Sequence, residues 1–243
     1  MKQNHYDNPA FFNQYAQMSR SQLGLDGAGE WTTLQRLLPA FTNKRVLDLG
    51  CGYGWHCAYA AQNGAKSILG IDISEKMLSI ARQKHAFPNI TYQCIAMEDL
   101  SLPNNSVDIV LSSLALHYVR DYAALVQRIS QWLIPGGHFV FSVEHPVFTA
   151  QGPQDWTYDD SGTISHFPVD NYYYEGPRDA VFLGHHIIKY HRTLTTYLTT
   201  LTDNGLTLRS VTEPQPPQHL MHIPGMKDEM RRPMMLIIAA QKP

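Results

Sequence analysis

The sequence predicts an α/β protein: a doubly wound, mostly parallel sheet with helices on both faces. Three observations carry that reading. Along residues 46–143, apolar runs short enough for buried strands alternate with stretches of helical spacing. The run Val46-Leu47-Asp48-Leu49 breaks into Gly50-Cys51-Gly52-Tyr53-Gly54 and then into a helical stretch from Trp55, the strand, tight turn and helix of a nucleotide-type site. A second apolar run ends in Asp72, twenty-four residues beyond Asp48, close to where such units carry a ribose-binding acid.

Composition narrows the function. At 243 residues the chain is one large domain or a domain with an insertion, long enough to bury a core without staples. Net charge is −2 with 16% charged residues, which argues against a general nucleic-acid binder and disfavours an RNA substrate. The three cysteines form no C-x-x-C pair, and the twelve histidines form no H-E-x-x-H arrangement, so no metal site is expected. Reduced thiols, a polar start from Met1 to Asp7 and the lack of any eighteen-residue apolar run point to a cytoplasmic protein without a membrane span. No internal repeat or low-complexity tract is present.

Asn8-Pro9 predicts a helix start, with Phe12, Tyr15 and Ala16 on one face. After a glycine-rich break at Gly24–Gly29, the residues Trp31, Leu34, Leu37 and Leu38 mark a second helix. The glycine turn that follows separates two ligand classes. A dinucleotide fingerprint, G-x-G-x-x-G, needs its third glycine for close helix–strand contact; counting from Gly50 and Gly52, that place holds Trp55. The turn instead reads Asp48-x-Gly50-x-Gly52-x-Gly54 and resembles motif I of the class I S-adenosylmethionine-dependent methyltransferases. The run Leu102-Pro103-x-x-x-x-Asp108-x-Val110 and the turn Leu133-x-Pro135-Gly136-Gly137 are similar to companions of that motif. The resemblance covers Val46–Val143 well and the terminal helix and strand pair loosely.

The resemblance implies a Rossmann-like seven-stranded sheet of order 3-2-1-4-5-7-6, the last strand antiparallel between strands five and six. It implies S-adenosylmethionine as cofactor, with Gly50, Cys51, Gly52 and Gly54 against its methionine part and Asp48 near its amino group. A carboxylate suits a positive ammonium and sulfonium where it would repel a pyrophosphate. N-terminal helices of such enzymes fold over the cofactor, which makes Tyr15 and Arg20 candidates to face it, Arg20 for the carboxylate. An amphipathic helix with a surface Arg explains the same two residues.

Beyond the turn, Ser67 to Asp72 is the second strand; Asp72 is placed to accept both ribose hydroxyls, and Ile73 to pack on the adenine. Ser74 caps a helix carrying Met77, Leu78 and Ala81. Ile90–Ile95 is the third strand, followed by Ala96 where many relatives carry an acid; the Met97 amide and the Glu98 side chain are the substitutes. Val107–Ser113 is the fourth strand, and the loop beginning at Ser113 brings His117 to its carboxyl end, where open α/β sheets bind ligands. Asp121 caps a helix with Tyr122, Leu125, Val126 and Ile129 inward, and His138–Val143 is strand five.

From Glu144 to Tyr190 run about 45 residues, far beyond an ordinary loop. They read as an inserted cap whose aromatics (Trp156, Tyr158, Phe167, Tyr172, Tyr173, Tyr174 and Phe182) suit a concave pocket for an organic acceptor, with a hairpin over Ala180–Tyr190. Leu194–Leu201 is the last helix, closed by Asn204-Gly205; Leu206–Val211 and Met234–Ala240 are the final strands, separated by a loop over residues 214–233. The expected organisation is a helical lid over 1–40, a cofactor core over 41–144, a substrate cap over 145–190 and the rest of the core over 191–243.

Methyl transfer from a sulfonium is an in-line displacement, so the protein must orient an acceptor and exclude water. For an amine or hydroxyl acceptor a base is useful, and His117, Glu144 and His145 lie at the carboxyl ends of strands four and five. The expected acceptor is a small molecule; the oligomeric state is left open. Competing readings are an NAD-dependent oxidoreductase, disfavoured by Trp55, and a non-catalytic S-adenosylmethionine-binding sensor or partner subunit.

Overall fold

The structure is a computed structural model describing residues 3–223 and 225–243; Met1 and Lys2 of the polar start and Pro224 of the 214–233 loop lie outside the described residues. A 3-10 turn at His5–Asp7 precedes α1 (Pro9–Tyr15), whose first amides are capped by the Asn8 side chain, and α2 (Ser19–Gln22) and α3 (Trp31–Leu37) complete the N-terminal part. The inward face of α1 is centred on fully buried Phe11 rather than on Phe12, because Phe11 meets rings of Tyr6, Phe182 and His185.

The core follows in alternation: β1 (Arg45–Leu49), α4 (Trp55–Gln62), β2 (Ser67–Asp72), α5 (Glu75–Lys84), β3 (Ile90–Cys94), β4 (Val107–Ser113), α6 (Tyr122–Trp132) and β5 (Leu133–Glu144). β5 starts at Leu133, five residues before the expected His138: Leu133 already pairs with Val107, and the Pro135-Gly136-Gly137 stretch is absorbed as a register shift inside the strand. After α7 (Pro146–Thr149) come β6 (Thr157–Tyr158), β7 (Ile164–His166), β8 (Gly176–Phe182) and β9 (His185–His191), then α8 (Leu194–Asp203), β10 (Thr207–Thr212) and β11 (Met235–Gln241).

The central sheet runs β10-β11-β5-β4-β1-β2-β3. Counting only its seven strands along the chain, this is the order 3-2-1-4-5-7-6. β11 is antiparallel to both neighbours and every other pairing is parallel. Alternate residues of β1 feed opposite cores: Leu47 and Leu49 pack with α6 and α8 side chains such as Leu125, Ile129 and Leu201, whereas Val46 packs with Leu34, Cys57 and Leu78 from α3, α4 and α5. Burial on both faces explains why the strands read as continuous apolar runs. The order reverses between β1 and β4, so their carboxyl ends diverge and leave a crevice. Among the described residues no helix is long and apolar enough to cross a membrane.

The segment after β5 holds two small hairpins. β8 and β9 turn through Leu183 and Gly184, both at positive φ (50° and 68°), the paired left-handed geometry that matches strand twist. The expected aromatic pocket is largely absent from this segment. Tyr173 and Tyr174 are 87% and 75% exposed, and Trp156 and Phe167 pack with Phe148 around the Arg232 guanidinium.

Candidate active site

The crevice at the carboxyl ends of β1, β2, β4 and β5 opens into a cavity of about 960 Å³. Its floor is the glycine turn. Gly50 has φ +75°, and the amides of Gly50 and Cys51 both donate to the Ile71 carbonyl at 2.9 Å, which pulls the turn against the end of β2. A Cβ on Gly50 would stand 2.6 Å from the Ala115 Cβ, so only glycine lets this backbone press against the loop after β4. Gly50, Cys51 and Gly52 line the cavity; Gly54 does not, and serves as the left-handed start of α4.

Asp72 lines the cavity at the end of β2. Each oxygen already takes one backbone donor, the Gly52 amide on Oδ2 (3.0 Å) and the Ser74 amide on Oδ1 (2.9 Å), leaving further lone pairs on both. Burial pushes its carboxyl up to about 6, with nearby Asp7 adding to the rise against the pull of those amides. The helix cap is supplied separately by Ser74 Oγ, which accepts from the Met77 amide. Ile73, Met77, Met97 and Glu98 continue the wall.

Asp48 is 1% exposed and is not among the lining residues; its Oδ2 accepts from the Cys57 thiol at 3.3 Å, and burial pushes its carboxyl up to about 7. Glu30, just before α3, is another acid among the lining residues, and its side chain is itself buried. Its Oε1 accepts from Arg20 Nη2 (2.5 Å) and Ser113 Oγ (3.1 Å). Burial alone would raise the Glu30 carboxyl, yet the Arg20 charge and hydrogen bond hold it below its ordinary value. Tyr15 lines the cavity and stands edge-on to Tyr6 and Tyr53.

At the other end, His117 is 1% exposed and accepts from the Glu144 amide at Nδ1 (3.4 Å). Burial drives its imidazole down to about 4, with Glu144 opposing and Lys189 assisting. Glu144 is engaged on both oxygens, by Lys189 Nζ at 2.6 Å and Gln154 Nε2 at 2.7 Å, and its carboxyl lies below the usual value because His117 and Lys189 outweigh burial. Both residues line the cavity; His145 does not. His145 caps α7 by accepting from the Val147 amide and has Nε2 2.9 Å from Glu213 Oε1. Of the inserted segment, Phe182, Ile187 and Tyr190 face the cavity.

The sequence reading missed Glu30, Tyr6, Asp7 and Lys189. An acid preceding a helix is commonplace, so Glu30 gave no signal. Asp7 gave none either, since its partners lie far along the chain: its Oδ1 accepts from Ser74 Oγ (2.6 Å) and the Lys76 amide (3.1 Å), pinning the N-terminus on α5 beside Asp72. Gln3 makes the complementary tie, pairing with both the carbonyl and the amide of Ile188 in β9. The two ties fasten the N-terminal segment to the start of α5 on one side and to β9 on the other.

The donor set fits S-adenosylmethionine. A backbone cradle that a Cβ would fill, a carboxylate with spare acceptor capacity beside it, and apolar walls at Ile73 and Met97 suit its methionine, ribose and adenine parts respectively. Three buried polar atoms without partners, Ser21 Oγ, Glu30 Oε2 and Trp55 Nε1, belong to residues lining the same cavity.

Known proteins point the same way. Residues 47–141 match the family model of a methyltransferase domain. A solved structure from Listeria monocytogenes, proposed as an S-adenosylmethionine-dependent methyltransferase, is 51% identical with TM-score 0.87, covering 90% of this chain and 99% of its own. An S-adenosylmethionine-dependent methyltransferase from Mesorhizobium loti is 43% identical with TM-score 0.83, covering 90% of this chain and 100% of its own. An uncharacterized protein of Haemophilus influenzae is 30% identical over 98% of this chain and 96% of its own. A ubiquinone biosynthesis O-methyltransferase of Neisseria meningitidis is 34% identical over 48% of this chain and 55% of its own. With the sheet order, the glycine cradle and these likenesses in agreement, the chain belongs to the class I S-adenosylmethionine-dependent methyltransferases.

Proposed function

We propose that the enzyme methylates a small-molecule acceptor held in the half of the cavity walled by His117, Tyr118, Phe182, Ile187 and Tyr190. The observation that carries this is the continuity of the cavity, which runs from the glycine turn and Asp72 to side chains of the inserted hairpin. In this reading residues 1–40 are a lid and residues 145–190 a cap over the core of 41–144 and 191–243. A relative named for ubiquinone biosynthesis supports a small acceptor.

Asp72 takes the ribose hydroxyls, Ile73 and Met97 flank the adenine with Glu98 at its edge, and Gly50, Cys51 and Gly52 let the methionine part approach the backbone. Tyr15 and Ser113 line the methionine side, with Gly54 starting the helix behind. Bound there, S-adenosylmethionine supplies an electrophilic methyl on sulfur. The remaining work belongs to the protein: holding the acceptor in line and keeping water out, the latter served by the Asp7 and Gln3 ties.

His117 is neutral at physiological pH, and a Nδ1 that accepts from an amide leaves hydrogen on Nε2. In that tautomer it donates to an acceptor oxygen or nitrogen and positions it. Glu144, ionised and engaged on both oxygens, holds Lys189 and the hairpin in place. His145 lies outside this chemistry.

The test is release of S-adenosylhomocysteine with a panel of small aromatic alcohols and amines, run beside protein and RNA acceptors. Turnover on a small molecule, with kcat/KM reduced about tenfold in His117→Ala as one oriented hydrogen bond is lost, is the expected result. Turnover confined to protein or RNA overturns the reading.

A further inference from the structure

The half of the cavity assigned to the acceptor is walled by rings from distant parts of the chain: Tyr6 before α1, Tyr118 after β4, Phe182 at the end of β8 and Tyr190 in β9. We propose that the acceptor is an amine whose nitrogen sits among these rings beside the Glu144 carboxylate, and that this end of the cavity favours the positive charge that methyl transfer delivers to that nitrogen. This names a substrate class for the small-acceptor reading given above and rests on it.

Contacts among the side chains draw these walls together. Phe11 stands edge-on to both Tyr6 (5.0 Å) and Phe182 (5.8 Å), which sets the N-terminal turn beside the hairpin. The Tyr6 and Tyr118 hydroxyls share a hydrogen bond; burial pushes the Tyr118 phenol up, and the Glu144 charge adds to the rise. Lys189 Nζ, 2.6 Å from Glu144, lies 5.3 Å from the centre of the Phe182 ring. All four ring residues are half-buried, and aromatic faces attract a cation. The charges agree in sign. Glu144 lines the cavity and Lys189 does not, so the pair turns its negative end to the ligand. A second buried cation at this end, Arg192, is also outside the lining and donates to the carbonyls of Val119, Arg120 and Tyr190. Arg120 and Asp121 line the cavity as exposed neighbours of opposite sign.

Transfer to a neutral amine needs no base in the bond-forming step. The nitrogen lone pair bonds to the methyl carbon, and the carbon–sulfur bond breaks with its electron pair on sulfur, leaving S-adenosylhomocysteine as a neutral thioether. The positive charge has then moved from sulfur to nitrogen, where the rings and the carboxylate stabilise it. A primary or secondary amine afterwards releases a proton to water, and a tertiary amine keeps the charge as a quaternary ammonium. A hydroxyl acceptor must instead give up its proton as the bond forms. The groups at the ends of β4 and β5 are committed elsewhere: His117 accepts from an amide at Nδ1 and keeps its hydrogen on Nε2, and both Glu144 oxygens are engaged, by Lys189 and Gln154.

Binding tests it first, with choline and its uncharged isostere 3,3-dimethylbutan-1-ol titrated into the complex with S-adenosylhomocysteine. Choline should bind at least about tenfold tighter, the size of a desolvated cation–π contact; equal affinity, or no binding of choline, overturns the proposal. Tyr190→Leu should weaken choline by about tenfold, and Tyr190→Phe, which keeps the ring face, by less than about threefold. Equal losses in the two variants, or none in either, contradict the role of the rings. Turnover is the second readout, with S-adenosylmethionine and the matched pairs benzylamine and benzyl alcohol, and tryptamine and tryptophol. The amine of each pair should react with a kcat/KM at least about tenfold higher, and the binding result decides whether or not these probes turn over. Preference for the alcohols overturns the amine assignment and leaves the small-acceptor reading standing, whereas turnover confined to protein or RNA removes that reading and this proposal with it.

Discussion

At residues 50–54 the wall of the cavity is backbone; in the segment between residues 145 and 190 it is side chains held by partners far along the chain. The turn is five consecutive residues, three of them glycine at positive φ, held from outside by the end of the next strand through the Ile71 carbonyl and the Asp72 carboxylate. The cap end depends on Lys189 reaching Glu144 and Gln154, 45 and 35 residues away, and on Gln3 pairing with Ile188 across 185 residues. Local geometry tolerates no substitution at its tightest point, against Ala115, but its hydrogen bonds reach only the neighbouring strand. Long-range side-chain geometry tolerates change at most positions and fails when the buried Lys189–Glu144 pair is broken.

The comparison breaks most sharply at Gly50. Gly50→Ala puts a Cβ 2.6 Å from Ala115 and asks alanine to hold φ +75°, so the turn must move. Cofactor affinity should fall by about a hundredfold or more, a loss of roughly 3 kcal/mol, in a protein that still melts cooperatively. Calorimetry with S-adenosylmethionine beside a thermal melt measures both, and retention of near wild-type affinity would show that the turn is not the floor of the cofactor site.

Lys189→Met should act in the opposite way. It leaves Glu144 buried beside Gln154 without its cation, and the expected loss of stability is about 3 kcal/mol. Cofactor affinity should stay within about threefold of wild type, because the pair lies at the cap end. Chemical denaturation and the same titration check the two halves of that statement. A large loss of affinity without a loss of stability would erase the division between the two regions.

The same division explains what the sequence revealed. The strand order, the acid that ends β2 and the glycine turn after β1 were legible, because strand–turn–helix geometry is written in neighbouring residues and the sheet order follows from family resemblance. Ser74 and Asp121 were readable as caps for the same reason. The aromatic lining of the cap was not: composition counts Tyr173 and Tyr174, whereas their outward direction depends on the β8–β9 pairing and the Arg178 bonds to the Tyr174 and Asn171 carbonyls. Asp48 was located by its motif but not aimed, since its direction is set by Cys57 on the next helix. Glu30 was invisible because its meaning comes entirely from Arg20, Ser113 and the fold that brings them together.

The central claim is that S-adenosylmethionine sits on the glycine turn with its ribose on the Asp72 carboxylate. Its most direct test is calorimetric titration of wild type and Asp72→Asn with S-adenosylmethionine at pH 7 and pH 5. Asp72 must be ionised to accept both hydroxyls, and burial places its carboxyl at about 6. Falling pH therefore protonates it, and wild-type affinity should drop about tenfold between the two pH values. Asp72→Asn should bind at least about tenfold more weakly at pH 7 and show no such drop. An Asp72→Asn protein that binds as tightly as wild type at pH 7, or that keeps the wild-type pH dependence, would contradict the account.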